Sequence, residues 1–499
     1  MRNGKIDPGI FWPGLIVLSI LLSSLVFVPN TEQTINSLLS FITFKFDWLF
    51  LLVTFSGFIF LLWLAFGPYG TIRFGGKEQK PEFSTFSWIT MLFCAGIGSA
   101  LIYWAIIEPL YYLNGPPFGL EPNTKEAAGW SIAYGFFHWG FSAWGIYAIP
   151  AVVLSYSLYN RKNYALRPSA ACRGVLGDMV DGWVGKLIDI TIMFGLIGGV
   201  GTTLGVNVPM ISAVVGEIFG VSRSFWVDFG VIVIWTSLFG ASAYLGLQKG
   251  IKILSDLNAV LALLLAVFIL IVGPTSLILS NFSNSLGVML QNFLQMSFGT
   301  DPFMQSGFPQ NWTVFYWAWW FAYSVYMGIF VARISKGRTI KELIIAMVMW
   351  GSLGCFLFFA IFGTYVLDLD LNGIIPLSRM LQENNDTGVI VAMLNSLPMR
   401  SVLLPFFVVV SLIFQATTLD SAAYTLAAIT TKREFGDEEP ARWNRVLWSA
   451  VLGVLAIVLL AIGGLKVVQL SSVVVGVPVI LVLVLFILSF MKWLKEETI

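Results

Sequence analysis

Four tryptophans stand within nine residues in the segment NWTVFYWAWWFAYSVYM, residues 311–327. The segment has no charged residue, so it can offer a ligand only ring faces and single N–H or O–H groups. On a helix, one face of about 100° collects most of its aromatic side chains: Trp312, Tyr316, Trp319, Trp320 and Tyr323, together with Met327. Trp317 lies outside this face. The pattern indicates either ring packing, with Trp312 in an interfacial belt, or one wall of an aromatic binding site.

A second aromatic set lies in FHWGFSAWGIYAIP, residues 137–150. On a continuous helix, Trp139, Trp144 and Tyr147 would share a face of about 140°. Two such faces on neighbouring helices can close a box whose ring quadrupoles attract a cation. Quaternary ammonium suits the box best, because it has no N–H groups that need acceptors. A cation cage and ordinary helix packing both remain open at this point.

The composition places these faces in a membrane. Of the 499 residues, 57% are hydrophobic and 11% charged, with a mean hydropathy of +0.84, whereas a soluble protein has roughly a quarter charged residues. Recurring apolar runs predict an all-α polytopic membrane protein with twelve transmembrane helices. We expect these spans at 10–28, 47–68, 86–112, 127–159, 187–219, 225–247, 250–279, 311–335, 340–367, 401–429, 443–463 and 467–491. The first is expected to be a retained helix and not a cleaved signal peptide.

The basic residues predict the orientation. With the N-terminus inside and the spans alternating, the inner side receives all but six of the 28 Lys and Arg residues, as the positive-inside rule expects. The exceptions are Lys45, Lys125, Arg223, Arg379, Arg400 and Lys466. We therefore expect a plasma membrane protein, in a bacterium the inner membrane, with both termini cytoplasmic. The segment SNSLGVMLQNFLQMSF, residues 283–298, is too polar to span and predicts an amphipathic helix on the membrane surface.

Polar features interrupt two predicted spans. In CAGIGSALIYWAIIEP, residues 94–109, Gly96 and Gly98 either allow close helix packing or mark a discontinuous helix that lines a site near the midplane. In FQATTLDSAAYT, residues 414–425, Thr417 and Thr418 either bond back to their own helix or offer hydroxyls to a small hard cation such as Na⁺. Asp420 is an intramembrane acid, and both a functional and a structural role are open for it.

The two aromatic stretches, the glycine stretch and the threonine stretch, taken in their order along the chain, resemble the betaine/carnitine/choline transporter family over nearly the whole chain. The most specific match is WTVFYWAWW, residues 312–320, followed by ARISKGRTIKEL, residues 332–343. Shorter strings are most similar to the carnitine/γ-butyrobetaine exchanger branch: PPFGLEPN (116–123), GLQKG (246–250) and GDEEP (436–440). The resemblance implies that residues 1–499 form a single transporter domain and that the protein is a homotrimer. It also implies a LeuT-type inverted repeat of five plus five helices, in spans 3–7 and 8–12. Two leading helices (1–85) would precede the first repeat (86–280), a surface helix (281–310) and the second repeat (311–499).

The resemblance also implies site residues. An aromatic box would comprise Trp139, Trp144, Tyr147 and Trp320, with Trp319 and Tyr323 nearby and Trp312 in an outer transient site. A helix break at Gly96, Ile97 and Gly98 would line the substrate site. In sodium-coupled members the ion would be held by the backbone of Cys94 and Ile97 together with Phe414, Thr417 and Thr418. A second sodium position would lie near Thr202 and Thr203.

Two residues point to opposite coupling modes. The sodium-independent exchangers of the family carry an arginine at the start of span seven in place of the coupling ion, and this chain has Asn258 there. The same exchangers carry a methionine in part of an ion site, and Met327 matches it. We expect sodium symport of a trimethylammonium compound, with substrate:product exchange as the alternative.

The residue inventory argues against two other classes. A membrane enzyme would need clustered acids, bases or metal ligands at membrane depth, but the chain has one histidine, His138, and three scattered cysteines, Cys94, Cys172 and Cys355. A channel would need a continuous polar lining. We therefore expect no catalytic residue, no metal site and no cofactor, with Na⁺ as a possible coupling ion. The net charge of +1 indicates no nucleic-acid partner; the expected partners are a small quaternary ammonium compound and the lipid bilayer.

Overall fold

The computed structural model describes residues 6–27, 31–98, 100–163, 167–432, 439–462 and 465–498. At 17, 20–27, 31–36, 459–462, 465–472, 497 and 498 only the helical backbone is described. Within these ranges the chain is helical almost throughout, and two isolated β-bridges join Ile6 to Thr431 and Arg73 to Thr339.

The helices follow one another with short connections. The first half of the chain forms α1 (Pro8–Phe27), α2 (Thr31–Lys45), α3 (Asp47–Phe66), α4 (Thr85–Gly96), α5 (Ala100–Asn114), α6 (Lys125–Trp139), α7 (Phe141–Tyr159), α8 (Arg173–Leu176), α9 (Trp183–Phe219), α10 (Phe225–Leu245) and α11 (Lys252–Val272). The second half forms α12 (Thr275–Gln291), α13 (Phe293–Phe298), α14 (Phe315–Ile334), α15 (Ile340–Ile345), α16 (Ser352–Phe358), α17 (Thr364–Leu371), α18 (Leu377–Gln382), α19 (Asp386–Asn395), α20 (Arg400–Ile429), α21 (Arg442–Ile462) and α22 (Leu465–Thr498). Four π-helical segments continue these helices, at Leu247–Ile251, Pro309–Val314, Ala346–Gly351 and Phe359–Gly363.

Helices occupy all twelve predicted spans, which confirms the all-α polytopic architecture. Among the described residues, nine helices are long and apolar enough to cross a membrane, and the bent pair α4–α5 would be a tenth. The helices α1 and α21 coincide with the two remaining predicted spans. The division into inverted repeats and its boundaries stays a prediction.

The aromatic helix α14 lies at the centre of the bundle. In its span, Pro309–Ile334, every residue of the most apolar stretch is buried, against 33% in Phe225–Leu245 and in Leu247–Val272 at the periphery. The helix packs against α7, α9 and α22. Its closest crossing with α7 is at Gly328, where an added Cβ would lie 2.8 Å from Pro150 Cβ and 3.0 Å from the backbone nitrogen of Ala151. Burial on all sides rules out a lipid-facing role for the aromatic residues of α14.

Two spans are broken where substrate-site residues were predicted. The axes of α4 and α5, which end at Gly96 and begin at Ala100, are bent by 57° relative to each other, and Gly98 has a φ of +50°, in the left-handed region that favours glycine. Span four, predicted at 127–159, is matched by the single span Lys125–Tyr159, within which Gly140 adopts φ −98° and ψ −136° and divides the helix into α6 and α7. A Cβ at Gly140 would meet the Phe136 carbonyl oxygen at 2.3 Å, so this position requires glycine.

The surface helix also differs from its prediction. Span seven ends at Val272 and not at 279, because Pro274 has no N–H to continue the helix. The next helix, α12, starts at Thr275, eight residues before the predicted start, and α13 follows it to Phe298. One side of α12 packs on α6 through Phe282 and Phe136, whose ring centroids are 5.8 Å apart.

We expect Gly328→Ala to destabilise the protein by about 1–3 kcal/mol, because the new methyl group collides with the backbone of α7. The thermal unfolding midpoint of the purified protein in detergent measures this. Gly230→Ala in α10 is the matched control, since an added Cβ there has no neighbour within 4 Å among the described residues. It should leave the midpoint equal or raise it. Equal losses for both variants would contradict the close crossing.

Candidate functional site

Three aromatic rings from the two predicted faces meet at the centre of the bundle. Trp320 of α14 lies between Trp139 of α6 and Tyr147 of α7, with centroid distances of 5.0 and 5.8 Å and interplanar angles of 73° and 81°. Trp144 continues the row, 5.9 Å from Tyr147 at 83°. All four side chains are at most 2% exposed. The structure therefore brings together the four residues of the predicted box, with successive ring planes nearly perpendicular.

Each ring is fixed by neighbours outside the row. The indole N–H of Trp320 donates to the His138 carbonyl oxygen at 2.9 Å, which ties α14 to the end of α6. Trp144 stacks on Phe93 of α4 at 6.0 Å and 13°. Its other neighbour is Gly351 in a π-helical segment, where a Cβ would lie 2.3 Å from the indole ring. The box thus depends on α4, α6, α7, α14 and the helix Ile340–Leu371 together.

The other predicted aromatic residues divide into two groups. Trp319 stacks on Trp320 at 4.7 Å, and Tyr323 lies 6.2 Å from Tyr147, so both adjoin the box. Trp312 does not: it packs against Tyr112 at 4.9 Å and Tyr111 at 5.4 Å and is partly exposed. Trp317 is buried on the opposite side, against Phe137 and His138, as its position off the aromatic face predicts.

The helix break lies directly beside the box. A Cβ at Gly96 would lie 3.0 Å from the Trp144 ring and 3.1 Å from the Met327 methyl carbon. At Gly98 a Cβ would lie 1.9 Å from the Thr418 hydroxyl oxygen. Ile97 between them is 3% exposed. Close packing therefore requires both glycines, and Gly98 also has the positive φ at the point where the helix is interrupted.

Four oxygens converge where the sodium ligands were predicted. The Thr418 hydroxyl donates to the Cys94 carbonyl at 2.9 Å and lies 3.4 Å from the Phe414 carbonyl, and the Thr417 hydroxyl donates to Phe414 at 2.7 Å. Hydroxyl and carbonyl oxygens are donors that a hard cation prefers. The residues fit a sodium ion, which these oxygens would coordinate through lone pairs that now accept hydrogen bonds. The bonds to Phe414 are bonds back to the same helix, whereas the bond from Thr418 to Cys94 joins α20 to α4. Thr202 and Thr203 likewise bond back to Gly198 and Gly199 of their own helix.

Asn258 and Asp420 border this cluster. The Asn258 amide donates to the Cys94 sulfur at 3.5 Å, so Asn258 contacts the broken helix. Asp420 accepts from Ser242 Oγ of α10 at 2.5 Å and from Ser421 Oγ at 3.3 Å. Its bond to Ser242 joins α20 to α10 and accounts for the acid structurally.

A buried carboxylate behind the box was missed in the sequence. Glu108 of α5 is 0% exposed and accepts from the Trp139 indole N–H at 2.8 Å, from Tyr316 at 2.5 Å and from Tyr112 at 2.5 Å. Tyr112 lies 2.7 Å from His138 Nδ1, and His138 Nε2 lies 2.9 Å from Thr313 Oγ1. Since Tyr112 donates to Glu108, His138 Nδ1 must donate to Tyr112, and Nε2 accepts from Thr313. An acid within a predicted span was the available signal.

The described residues hold no cluster of three or more His, Cys, Asp or Glu side chains that could bind a metal ion. Cys94, Cys172 and Cys355 are buried, free thiols. The chemistry at this site is therefore that of rings, hydroxyls, carbonyls and one carboxylate.

Comparisons with known proteins give one solved structure and one family. A solved structure described as MhsT in complex with L-phenylalanine aligns with 78% of this chain and 99% of its own, at 15% sequence identity and a TM-score of 0.23. An alignment at that TM-score carries no argument about the substrate of this chain.

The family match is extensive. The sequence fits the profile described as BCCT, betaine/carnitine/choline family transporter, over residues 9–499. This range contains the broken helix and the whole aromatic row. It also contains all twelve helical spans, apart from the first residue of α1. The match does not distinguish the carnitine branch from the others. The chain belongs to the betaine/carnitine/choline transporter family.

Proposed function

We propose that this chain moves compounds with a trimethylammonium head across the membrane by alternating access, in symport with Na⁺. The observation that carries the proposal is the meeting of Trp139, Tyr147 and Trp320 at 5.0 and 5.8 Å in the buried centre of the bundle. Family membership supports secondary transport of quaternary ammonium compounds. Beyond family membership, we propose the trimethylammonium head of the substrate, Na⁺ as the coupling ion and the roles of the individual residues.

The ring arrangement favours a cation without hydrogen-bond donors. Successive ring planes stand at 73–83° to one another, so their faces point in different directions, and such faces can surround a cation once the helices part. A ring face attracts a cation through its quadrupole but accepts an N–H bond poorly, so a primary amine would leave donors unsatisfied. The hydroxyl of Tyr147 has no partner among the described residues, and it can serve a polar group next to the head.

Glu108 supplies charge without touching the ligand. Its carboxylate binds the indole N–H of Trp139, so negative charge lies directly behind one wall of the box. The surroundings are buried and apolar, where a charge interaction is screened less than in water. Trp139 keeps the carboxylate from pairing with the ligand and at the same time makes the box electrically attractive to a cation.

Enclosure requires the helices to move. The walls come from α6 and α7 on one side and α14 on the other, and the rings are closed to water on all sides. Binding and release therefore need α14 and α7 to separate, alternately toward each membrane face. The broken helix α4–α5 touches Trp144 at Gly96 and the sodium cluster at Gly98, and this contact can link ion binding to the box.

An oxygen cluster supports sodium coupling, and one methionine favours exchange instead. The oxygens of Cys94, Phe414, Thr417 and Thr418 form a donor set that suits Na⁺; Ile97, the fifth predicted ligand, lies within the same break. Against coupling stands Met327, whose methyl group borders Gly96 and whose sulfur is a poor Na⁺ ligand. Met327 favours substrate:product exchange as the second candidate.

The setting of the proposed carrier follows from the family. We infer a plasma membrane location, with both termini cytoplasmic as the basic residues indicate, and a homotrimeric assembly. The carrier works without a cofactor and without catalytic residues in this proposal.

Removing a box wall should weaken substrate binding. Trp320→Leu or Trp144→Leu should raise the apparent Kd for carnitine or glycine betaine roughly 30-fold, since a desolvated cation–π contact is worth about 2 kcal/mol. Binding is measured by isothermal titration or by competition with labelled substrate in proteoliposomes. Trp317→Leu, on the same helix and equally buried, is the matched control and should cost far less.

The same assay tests the ligand class. A trimethylammonium compound should compete with the labelled substrate, and its primary-amine analogue should compete poorly. Equal competition by both, or equal losses in Trp317→Leu and Trp320→Leu, would remove the aromatic box as the binding site.

The charge of Glu108 can be separated from its packing. Glu108→Gln can keep its oxygen toward Trp139 and Tyr316 and turn its amide toward Tyr112, whose hydroxyl can accept. We expect roughly tenfold weaker binding of trimethylammonium substrates from the lost charge, by Coulomb's law at an effective dielectric constant of about 20. Binding of a neutral tert-butyl isostere should be unchanged. If the isostere loses as much affinity, Glu108 acts through packing alone.

Sodium coupling predicts a specific dependence. Uptake into proteoliposomes should follow Na⁺ concentration without cooperativity, and Thr417→Ala combined with Thr418→Ala should abolish the dependence. The control is Thr425→Ala, a buried hydroxyl two turns along the same helix; Thr418→Ser should restore the response. Asn258→Arg should shift transport toward Na⁺-independent exchange. Wild-type uptake that is the same in K⁺ and Na⁺ buffer would contradict symport and favour exchange.

A further inference from the structure

A basic groove lies where the connection after α3 meets the start of α15, and none of the four residues of the aromatic row lines it. The two segments are joined by backbone bonds from Phe74 N to Arg338 O at 2.9 Å and from Ile340 N to Ile72 O at 3.0 Å. The groove has a volume of about 540 Å³ and is open on one side. Three cations line it: Arg73, Arg338 and Lys341.

Arg73 and Arg338 differ from most other arginines in the described part of the chain, which pair with carboxylates. Arg161, Arg223 and Arg333, for example, pair with carboxylates at 2.9 Å. Within the described residues, no carboxylate lies within 4.0 Å of the charged nitrogens of Arg73, Arg338 or Lys341. The acid in the groove, Glu342, is already engaged, since its side chain accepts from the Thr339 backbone N–H at 2.7 Å as part of a capping box. With three cations and one carboxylate in its lining, the groove carries a net positive charge.

The protein holds the guanidinium groups in place with neutral partners. Arg338 donates to the Phe83 carbonyl at 2.9 Å and to Thr85 Oγ1 at 3.2 Å, and its guanidinium lies 4.5 Å from the Trp88 ring centroid. Arg73 donates to the Gly337 carbonyl. Burial lowers the pKa of Arg338; the charge of Glu342 opposes the shift and that of Arg73 adds to it. Both guanidinium groups stay charged and keep free donors for an anion.

One wall of the groove is apolar and reaches the outer surface of the bundle. Ile89, Ile345, Ala346 and Trp350 line it, and Trp350 is 52% exposed. Lys341 lies over the ring of Phe66, which is 66% exposed, at 5.2 Å. Phe66, at the C-terminal end of α3, fits the level of lipid headgroups, and Trp350 lies further along the span Ile340–Leu371. A ligand that fills the groove must pair an anionic group with hydrocarbon.

We propose that this groove binds the phosphate headgroup of an anionic phospholipid, with an acyl chain along Ile345 and Trp350. Arg73 and Lys341 at the rim and Arg338 at the base contact the phosphate, and Arg338 can present two parallel N–H donors to it. The lipid comes from the leaflet on the side that holds most of the basic residues, where anionic lipids attract Lys and Arg. The site stands independently of which substrate the box accepts.

The test compares charge removal inside and outside the groove. The full chain in detergent is titrated with phosphatidylglycerol and with phosphatidylcholine of the same acyl chains, and native mass spectrometry counts the lipids retained. Wild-type protein should retain phosphatidylglycerol preferentially. Arg73→Gln combined with Lys341→Gln should weaken one of these sites roughly 30-fold, since each basic residue near an anionic headgroup contributes about a factor of five. Lys77→Gln combined with Lys80→Gln removes the same charge from exposed positions of the same connection and should change nothing.

Further arms separate the lipid from other occupants. Lys341→Gln alone, at an exposed position, should weaken phosphatidylglycerol binding about fivefold. This single variant replaces the double variant if the latter does not fold. Equal phosphatidylglycerol retention in the groove and control variants would overturn the proposal. So would displacement of the lipid by an equal concentration of glycerol 3-phosphate, which would identify a soluble anion site. A change of oligomeric state in the groove variant with unchanged lipid retention would identify a contact between copies of the chain instead.

Discussion

The hydrogen bond from the Trp139 indole to Glu108 is the interaction on which the centre of the bundle depends. It joins α6 to α5, and Tyr316 joins α14 to the same carboxylate. An unpaired carboxylate at this depth would be costly, so three donors must stay aimed at it. That requirement fixes the rotamers of Trp139 and Tyr316, and Tyr316 in turn stacks on Trp320 at 5.6 Å. The aromatic row is therefore positioned by a polar network and not by ring packing alone.

The broken helix is the second constraint. A continuous helix through residues 97–99 would satisfy its own backbone, whereas the break leaves carbonyls that need partners from elsewhere. Thr418 and Tyr326 supply them: Thr418 donates to Cys94 O at 2.9 Å, and Tyr326 lies 3.3 Å from Ala95 O. The Thr418 hydroxyl and the Cys94 carbonyl also belong to the donor set proposed for sodium. In that proposal, one pair of atoms both satisfies the broken backbone and binds the ion.

The sequence could predict the features that depend on local pattern. The twelve spans follow from apolar length, and the members of the aromatic row follow from helical periodicity together with a family motif. Three features could not be predicted this way. The turn at Gly140 depends on the approach of Phe356 from a distant helix, the role of Glu108 depends on donors from α5, α6 and α14, and the basic groove forms only when residues 70–74 pair with 337–341. Each is a contact between segments far apart in the chain, for which periodicity has no signal.

The complete enclosure of the aromatic row has a kinetic consequence. A ligand held between α7 and α14 cannot leave through gaps between the rings, because none of the four side chains is more than 2% exposed. Its residence time is then set by how often the two helices part, and not by the strength of its contacts alone. Two ligands of very different affinity can leave at similar rates if the same opening limits both. The rate at which the helices separate would therefore limit how fast a bound ligand is released.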